Sequence, residues 1–231
     1  MERLSLPPLF DGRPSRDPVP EAKRRAARGA DAGLLLHDEG GGETARAALL
    51  LVPEVPLREA AAMLAAGALG LHDALGAVGP PELPLHLEWE GYLRVNGARC
   101  GRVSLAADAE DPGTVPDWMV LSIEVPFRWA ETDPGERPDT TVLHEEGCGE
   151  LTPAMLIEAW ARHVLHWINR WEEEGAAPLH AEWGRLSYEK GRTLTLRGRT
   201  GTFLGLDEWM GALIRGADTA LIPLTELVET P

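Results

Sequence analysis

Cysteine, tyrosine and phenylalanine are scarce in this sequence, and long apolar runs are missing. Only Cys100 and Cys148 occur among 231 residues, and they form no C-x-x-C pair. The spacing therefore argues against a disulfide framework and a thiolate zinc site, and we expect a reducing, cytoplasmic location. The N-terminus has no signal-like apolar segment, and no run approaches the roughly 20 residues of a bilayer span. We therefore expect neither export nor membrane insertion.

Positive charge is also in short supply. The chain has 22 Lys and Arg against 37 Asp and Glu, which gives a formal net charge of −15. Nucleic acid and anionic membrane surfaces attract clustered basic residues, so neither is expected as a partner. The remaining composition, 44% apolar and 26% charged, is typical of a globular protein with many loops.

The first half of the chain alternates short apolar runs with helix-forming stretches. Residues 1–20 contain five prolines and predict an irregular arm, and residues 21–28 predict a short helix that ends at a glycine. Runs 33–37 and 47–52 are bounded by turn residues, as is typical of strands buried on both faces. An almost wholly apolar helix is predicted at 57–78, packed on a sheet.

A β-hairpin is the strongest local prediction. Asn96 and Gly97 lie between β-type runs at 92–95 and 100–106, and both central residues of a type I′ turn need positive φ. The alternation at 118–127 predicts a strand with one apolar face and one exposed face.

The second half of the chain predicts a long helix and then a small β domain. Thr152 and Pro153 form a helix start, and Trp160, Trp167 and Trp171 follow at helical spacing as a core-facing stripe. Short alternating segments with closely spaced turns begin after residue 189 and predict a small barrel. We therefore divide the chain into domains at 1–189 and 190–231.

Several stretches resemble the biotin protein ligase and lipoate ligase family. LHLEWEGYLRVNGARCGRV resembles the family's K-W-P-N-D segment, hairpin and lysine-bearing strand, and WMVLSIEVPF resembles the strand that reads G-I-G-I-N-V. EAKRRAARGADAGLLL resembles the stretch after the Ser-Thr-Asn signature, and RTGTFLGLDEWMGALI with IPLTEL is similar to the C-terminal barrel. The resemblance implies an α+β fold, with a mixed sheet flanked by helices and a C-terminal SH3-like small β-barrel.

The resemblance also implies a chemistry. Ligases of this family activate an acyl acid with ATP and transfer the acyl group to a lysine of a carrier protein. A small carboxylic acid such as biotin, lipoate or octanoate, the cofactor ATP and a carrier protein are therefore the implied ligands and partners. Whether the chain forms a homodimer stays open.

The family's functional positions carry other residues in this chain. The adenylate loop reads GGGETAR, so that Arg46 is its one cation, and the K-W-P-N-D segment reads EWEGY, which keeps Trp89 and loses the lysine. By its spacing after the hairpin, Arg99 takes the position of the catalytic lysine, and arginine is not a neutral replacement there. No residue is assigned a catalytic role, and no metal site is assigned. The candidate ligand-binding residues are Arg46, Trp89, Asn96, Arg99, Cys100 and Gly101, with the loop Gly40, Gly41 and Gly42.

Alternatives stay open for several of these residues. Arg99 points into an acid-binding pocket or pairs with a surface acid such as Glu88 or Glu90. Trp89 contacts ligand or packs in the core, and Cys100 is an activated thiol or a small buried hydrophobe. His163 and His166 fit core packing better than a metal site.

Two functions remain open for the whole chain. One is a divergent acyl-acid ligase or transferase in which Arg99 and Arg46 replace the usual basic groups. The other is a binding or regulatory protein that kept the fold and lost the ATP and biotin motifs.

Overall fold

The computed structural model describes residues 4–38, 42–129 and 139–230 of the chain. These ranges contain eleven strands and five α-helices. The strands are β1 Asp11–Pro14, β2 Leu34–His37, β3 Thr44–Leu51, β4 Leu85–Leu87, β5 Tyr92–Val95, β6 Ala98–Ala107, β7 Met119–Pro126, β8 Thr193–Leu196, β9 Arg199–Leu206, β10 Ala212–Arg215 and β11 Thr219–Ile222. The helices are α1 Pro18–Ala26, α2 Leu57–Ala60, α3 Met63–Val78, α4 Pro153–Glu174 and α5 Ala177–Leu186.

A seven-stranded mixed sheet forms the larger part of the fold. Its strand order is β1-β2-β3-β7-β6-β5-β4, with β1 parallel to β2 and the other neighbours antiparallel. The tight turn between β5 and β6 has φ of 50° at Asn96 and 87° at Gly97, which confirms the predicted hairpin.

Helices α3 and α4 cover one face of this sheet and enclose the main core. A Cβ on Gly70 would lie 2.9 Å from the backbone of Val164, so the glycine allows α3 and α4 to approach closely. Thr152 caps α4 as predicted, because its side chain accepts a hydrogen bond from the amide of Met155. Trp160 is fully buried in this core and donates its indole proton to the carbonyl of Gly67 at 3.1 Å.

The expectation that no segment is long and apolar enough to cross a membrane was wrong. Leu57–Val78 passes that test by length and composition, with a mean hydropathy of 1.4. However, 72% of its most apolar stretch of 18 residues is buried inside the protein, where α3 packs between the sheet and α4. This burial is what a core helix requires, because both of its sides face apolar neighbours.

The N-terminal segment is more ordered than its prolines suggested. Residues 11–14 add β1 to the edge of the sheet beside β2, where a strand tolerates proline. Helix α1 begins at Pro18 and not at residue 21, since the first helical amides need no partner within the helix. The prediction of an irregular arm over residues 1–20 was therefore wrong for this part.

The prediction of a half-exposed strand at 118–127 was also wrong, because helix α1 covers part of its second face. Ala22 and Ala26 of α1 pack on the second face of β2, β3 and β7, in a small core that includes Trp118 and Val120. The strand β7 is consequently buried on both faces up to Ser122, which is 7% exposed, and only Glu124 beyond it is exposed.

The C-terminal part forms a separate four-stranded antiparallel sheet of order β11-β10-β9-β8. This sheet confirms the predicted β structure after residue 190 and is consistent with a small barrel-like domain. Helix α5, which precedes it, was not predicted as a separate element. The fold is thus a mixed α+β fold, while the domain boundary at residue 190 stays a prediction.

Candidate functional site

The half of the central sheet that α1 leaves uncovered carries a row of charged side chains. Across β5, β6, β7 and β3 the register places Tyr92 opposite Arg102, Arg102 opposite Glu124, and Glu124 opposite Arg46. Directly paired residues in an antiparallel sheet point to the same side. The row therefore alternates between positive and negative charge from β6 to β3.

A second pair of arginines lies beside this row. Arg94 of β5 is opposite Arg99 of β6. Their strand neighbours Leu93, Val95 and Cys100 belong to the core under α3, so the arginines point away from that core. We call this surface the arginine face, and it consists of Arg46, Tyr92, Arg94, Arg99, Arg102 and Glu124.

Arg46 lies between two acids of the chain. Its Nε and Nη2 donate to Oε1 of Glu124 at 3.2 and 3.1 Å, and its Nη1 is 3.8 Å from Oδ2 of Asp38. Burial raises the pKa of Asp38, and the charge of Arg46 opposes that rise. The Arg46 and Glu124 side chains are 43% and 60% exposed, so their pairing contributes less than about 1 kcal/mol.

Glu88 holds two arginines of the face at once. Its side chain is 3% exposed and accepts hydrogen bonds from Nε and Nη2 of Arg99, with Nε at 2.9 and 3.1 Å from the two carboxylate oxygens. It also accepts a hydrogen bond from Nε of Arg94, and Nη1 of the same arginine donates to the carbonyl of Gly97 in the hairpin turn. The hydrogen bonds that Arg99 donates to Glu88 raise the pKa of Arg99.

Of the two alternatives for Arg99, the structure contains the acid pair. The acid is not a surface residue, however, because Glu88 is buried. An unpaired carboxylate buried at this depth would lower the stability of the fold by several kcal/mol. Glu88 therefore requires its arginine partners.

Two tyrosines separate the guanidinium groups. Arg99 and Arg102 lie 4.1 and 5.2 Å from the ring centre of Tyr92. Arg94 and Arg192 lie 4.2 and 3.9 Å from that of Tyr188. Each guanidinium group is attracted to the negative face of the aromatic ring. The ring thereby keeps two groups of like charge apart.

Arg102 and Arg192 are the available cations of this region. Neither forms an ion pair or side-chain hydrogen bond with any residue in the ranges 4–38, 42–129 and 139–230. Arg102 is exposed and lies in the middle of the row, so a carboxylate or phosphate oxygen can reach it without displacing an internal partner.

Trp89 lies in the core and not on the arginine face. It is 1% exposed, and its indole Nε1 donates to the carbonyl of Met210 at 2.9 Å, which connects the two sheets. Its backbone amide donates to Oε2 of Glu189 at 2.6 Å. Burial raises the pKa of Glu189 to about 7, and the nearby charges of Glu88 and Glu90 act in the same direction.

The remaining predicted residues support the hairpin and the core. Asn96 donates its side-chain amide to Glu146, and a Cβ on Gly101 would meet Val125 at 3.1 Å. Cys100 is fully buried, and burial raises its pKa, with a smaller contribution from Glu146. A buried thiol with a raised pKa packs as a small hydrophobe.

The predicted glycine loop is described only at its end. Gly40 and Gly41 lie outside the described residues, and Gly42 is exposed next to β3. Within residues 4–38, 42–129 and 139–230, no three His, Cys, Asp or Glu side chains are grouped so that they could hold a metal ion. His166 is exposed with its ring edge against Trp167.

Sequence reasoning named Glu88 only as a possible surface partner of Arg99 and missed its burial, and it missed Glu189 altogether. Both acids flank apolar or aromatic residues, Glu88 before Trp89 and Glu189 after Tyr188, and this pattern is the signal available in the sequence. An acid next to large aromatic residues is a candidate for burial, and burial then demands a basic partner.

Comparisons with known proteins agree with this architecture. A model of the biotin/lipoate A/B protein ligase family matches residues 6–185, and a model described as a domain of unknown function matches residues 191–230. No curated protein matches the chain.

Solved structures extend the likeness over nearly the whole chain. A biotin protein ligase-like protein of unknown function from Silicibacter sp. tm1040 is 47% identical with a TM-score of 0.92, and the match covers 98% of this chain and 100% of that one. The Aquifex aeolicus biotin protein ligase in complex with biotin and ATP is 17% identical with a TM-score of 0.69 over 87% and 90% of the two chains. The Leishmania major enzyme with biotin is 14% identical with a TM-score of 0.58 over 94% and 98%. The last two likenesses concern the fold alone.

Proposed function

Because the chain belongs to the biotin/lipoate A/B protein ligase family, we propose that it is a binding or regulatory protein with the ligase fold, one that recognises a small carboxylic acid and does not activate it with ATP. Family and fold do not decide the chemistry, which depends on the groups present at the site. The proposal therefore rests on the arginine face.

The hydrogen bonding of Arg99 to Glu88 is the observation that carries the proposal. Arg99 occupies the position that the family resemblance gives to the catalytic lysine, and its guanidinium makes three hydrogen bonds to the buried carboxylate of Glu88. A phosphate or acyl oxygen at this position would compete with a charged internal partner. Freeing Arg99 would leave Glu88 buried beside Arg94 alone, at a cost of several kcal/mol.

The charges around the row work against a triphosphate in particular. Arg46 lies beside Asp38 and Glu124, and the net charge of the chain is −15. Each charge-assisted hydrogen bond that a nucleotide loses costs about 1.5–3 kcal/mol, so two or three such losses lower the affinity by several orders of magnitude. A monocarboxylate needs only one cation, and Arg102 can supply it next to the ring of Tyr92.

The first experiment measures nucleotide and acid binding by isothermal titration calorimetry. A ligand with a micromolar dissociation constant is almost fully bound at about ten times that concentration, and we expect no heat of binding from ATP there. For biotin, lipoate or octanoate we expect weak binding. Acid-dependent exchange of pyrophosphate into ATP is measured in parallel, with the Aquifex aeolicus biotin protein ligase as the positive control. A micromolar dissociation constant for ATP, or exchange above background with any of the acids, would show that the proposal is wrong.

A divergent acyl-acid ligase or transferase that acts on a carrier protein is the second candidate. The exposed Arg102 and Arg192 favour it, because both are free of ion pairs within the described residues and could replace lost cations. Incubation with ATP, octanoate and an unmodified carrier domain distinguishes the two candidates by intact mass spectrometry. An octanoyl adduct on the carrier selects the ligase.

A further inference from the structure

A groove lies between the C-terminal end of helix α4, the segment that joins β3 to α2, and the turn between β9 and β10. Its volume is about 630 Å³, which is within the range of small-molecule binding sites. Val52 and Val55 line it from the joining segment, Trp171 from α4 and Trp209 from the turn. The groove is separate from the arginine face, because the row through Arg46 crosses β3 five residues, or about 17 Å, before that strand ends.

Two tryptophan rings form part of the groove wall. Trp171 is half-buried and packs on the main core. Trp209 is 42% exposed, although its turn is fixed by hydrogen bonds from the amides of Trp209 and Gly211 to Oδ1 of Asp207, at 3.0 and 2.7 Å. The guanidinium group of Arg58 lies 5.6 Å from the centre of the Trp209 ring, so this ring already attracts a cation of the chain itself. The ordered turn thus holds an indole ring open to solvent where a second cation can reach it.

The charge of the groove is negative. Three carboxylates line it, those of Glu54, Glu59 and Glu172, against the single guanidinium group of Arg58. Oε1 of Glu59 is 3.7 Å from Nε of Arg58. Glu54 and Glu172 are exposed and form no ion pair or side-chain hydrogen bond with any residue in the described part of the chain. A groove wall with two carboxylates in excess attracts a cation.

The end of helix α4 adds to this negative charge. The helix ends in three acids, Glu172, Glu173 and Glu174, and has no basic residue in its last turn. The carbonyl groups at the C-terminal end of a helix carry partial negative charge, so acids are unfavourable there. Glu174 has an internal partner, because Nε of Arg170 donates to it at 3.0 Å. A cation bound beside Glu172 would be attracted both by this carboxylate and by the helix end.

We propose that this groove binds a small organic ammonium ion. Its ammonium group lies against the ring of Trp209, beside the carboxylates of Glu54 and Glu172. Its apolar body lies along Trp171 and Val52. At about 30 Å³ for each water molecule displaced, the volume corresponds to about twenty waters, which is more than an ammonium group alone can fill. The site does not depend on the proposed function, and it can exist whether or not the chain binds an acid.

The test uses the full chain labelled with ¹⁵N in its tryptophan indoles. The probe is 2-phenylethylammonium, the neutral control is 2-phenylethanol, which has the same number of non-hydrogen atoms, and the anionic control is phenylacetate. The indole resonances of Trp171 and Trp209 are assigned from their absence in Trp171→Phe and Trp209→Phe. We expect both resonances to shift saturably with the ammonium ion, at least about tenfold more weakly bound alcohol, and no shift with phenylacetate. Unmoved resonances with the ammonium ion, or equal affinity for the alcohol, overturn the proposal.

Two neighbouring acids supply a matched pair of variants. Glu172 and Glu173 are consecutive and exposed residues of α4, and of the two Glu172 lines the groove. Glu172→Gln and Glu173→Gln therefore remove the same charge from the same helix end. We expect Glu172→Gln to weaken binding of 2-phenylethylammonium by about fivefold and Glu173→Gln to leave it unchanged. Equal affinities of the two variants would refute the placement of the cation in the groove.

Replacement of Trp209 by leucine tests the role of the ring. Trp209→Leu keeps an apolar side chain on the turn and removes the aromatic face, so we expect about fivefold weaker binding of the ammonium ion and unchanged binding of 2-phenylethanol. Undiminished binding of the ammonium ion to Trp209→Leu counts against the site. Each of these negative results leaves the proposed function intact, because that function is tested by ATP and acid titrations at the arginine face.

Discussion

Replacement of Glu88 by glutamine tests whether this acid holds the arginine face together. The Glu88 side chain is 3% exposed, and its partners Arg94 and Arg99 are 11% and 36% exposed. Breaking a buried ion pair costs about 3–5 kcal/mol, and the partial exposure of Arg99 places the expected loss near the lower end, at about 3 kcal/mol. For a chain of this size, that loss lowers the melting temperature by about 6–12 °C.

The matched control is Glu124→Gln, which removes the exposed carboxylate of the arginine face. Glu124 is 60% exposed and its partner Arg46 is 43% exposed, so we expect a loss of no more than about 1 kcal/mol. Differential scanning calorimetry of both variants at pH 7.5 measures the difference. Equal melting temperatures for the two variants would refute the reasoning, because depth of burial would then not decide the strength of the pairing.

A double variant separates the charge effect from simple loss of packing. Glu88→Gln combined with Arg94→Met removes the buried cation that the first substitution leaves without its partner. We expect the double variant to be more stable than Glu88→Gln alone, since an apolar side chain tolerates that depth better than an unpaired guanidinium. Strict additivity of the two single effects would show that Glu88 and Arg94 are not coupled.

The remaining predictions concern single side chains in the two cores. Because burial raises the pKa of Glu189 from 4.5 to about 7, its ionisation in the fold destabilises the protein as pH rises through that window, by on the order of 3 kcal/mol. Glu189→Gln should therefore flatten the decline of melting temperature between about pH 4.5 and 7, and an unchanged slope would contradict this origin. Gly70→Ala should destabilise the protein by about 1–3 kcal/mol through its clash with α4, whereas Gly76→Ala should stabilise it by about 0.5–1 kcal/mol, as urea titrations can measure. Burial raises the pKa of both Cys100 and Cys148, so Ellman's reagent at pH 8 should label neither thiol in the native protein and both in urea, and rapid native labelling would refute their burial.

Local physics explains which parts of the fold could be predicted from the sequence. The Asn96-Gly97 turn and the Thr152 cap depend on residues within a few positions of one another, and both were predicted correctly. The strands after residue 190 likewise follow from alternation and turn residues. Prolines at the N-terminus were misleading, because Pro18 and Pro20 occupy the first turn of α1, where proline is tolerated.

The candidate site was less predictable because its contacts are distant in sequence. Trp89 was weighed between ligand and core, and its partner Met210 lies 121 residues away in the chain. The burial of Glu88 depends on the bulge between β5 and β6, which brings Arg94 and Arg99 to the same side. No periodicity in a single sequence reveals such a register shift.

The C-terminal tail has a consequence for how the two sheets move. Glu229 donates its amide to the carbonyl of Leu105 and accepts from the amide of Ala107, and its carboxylate is 3.3 Å from Lys23. The tail thereby occupies the edge of β6 beyond the end of β5, and the chain that leaves the larger domain near Ser187 returns to it at Glu229. The C-terminal sheet is therefore attached to the rest of the protein at two places and not through one linker alone. A swinging motion of this sheet about residue 190 would first have to break the two backbone hydrogen bonds of Glu229.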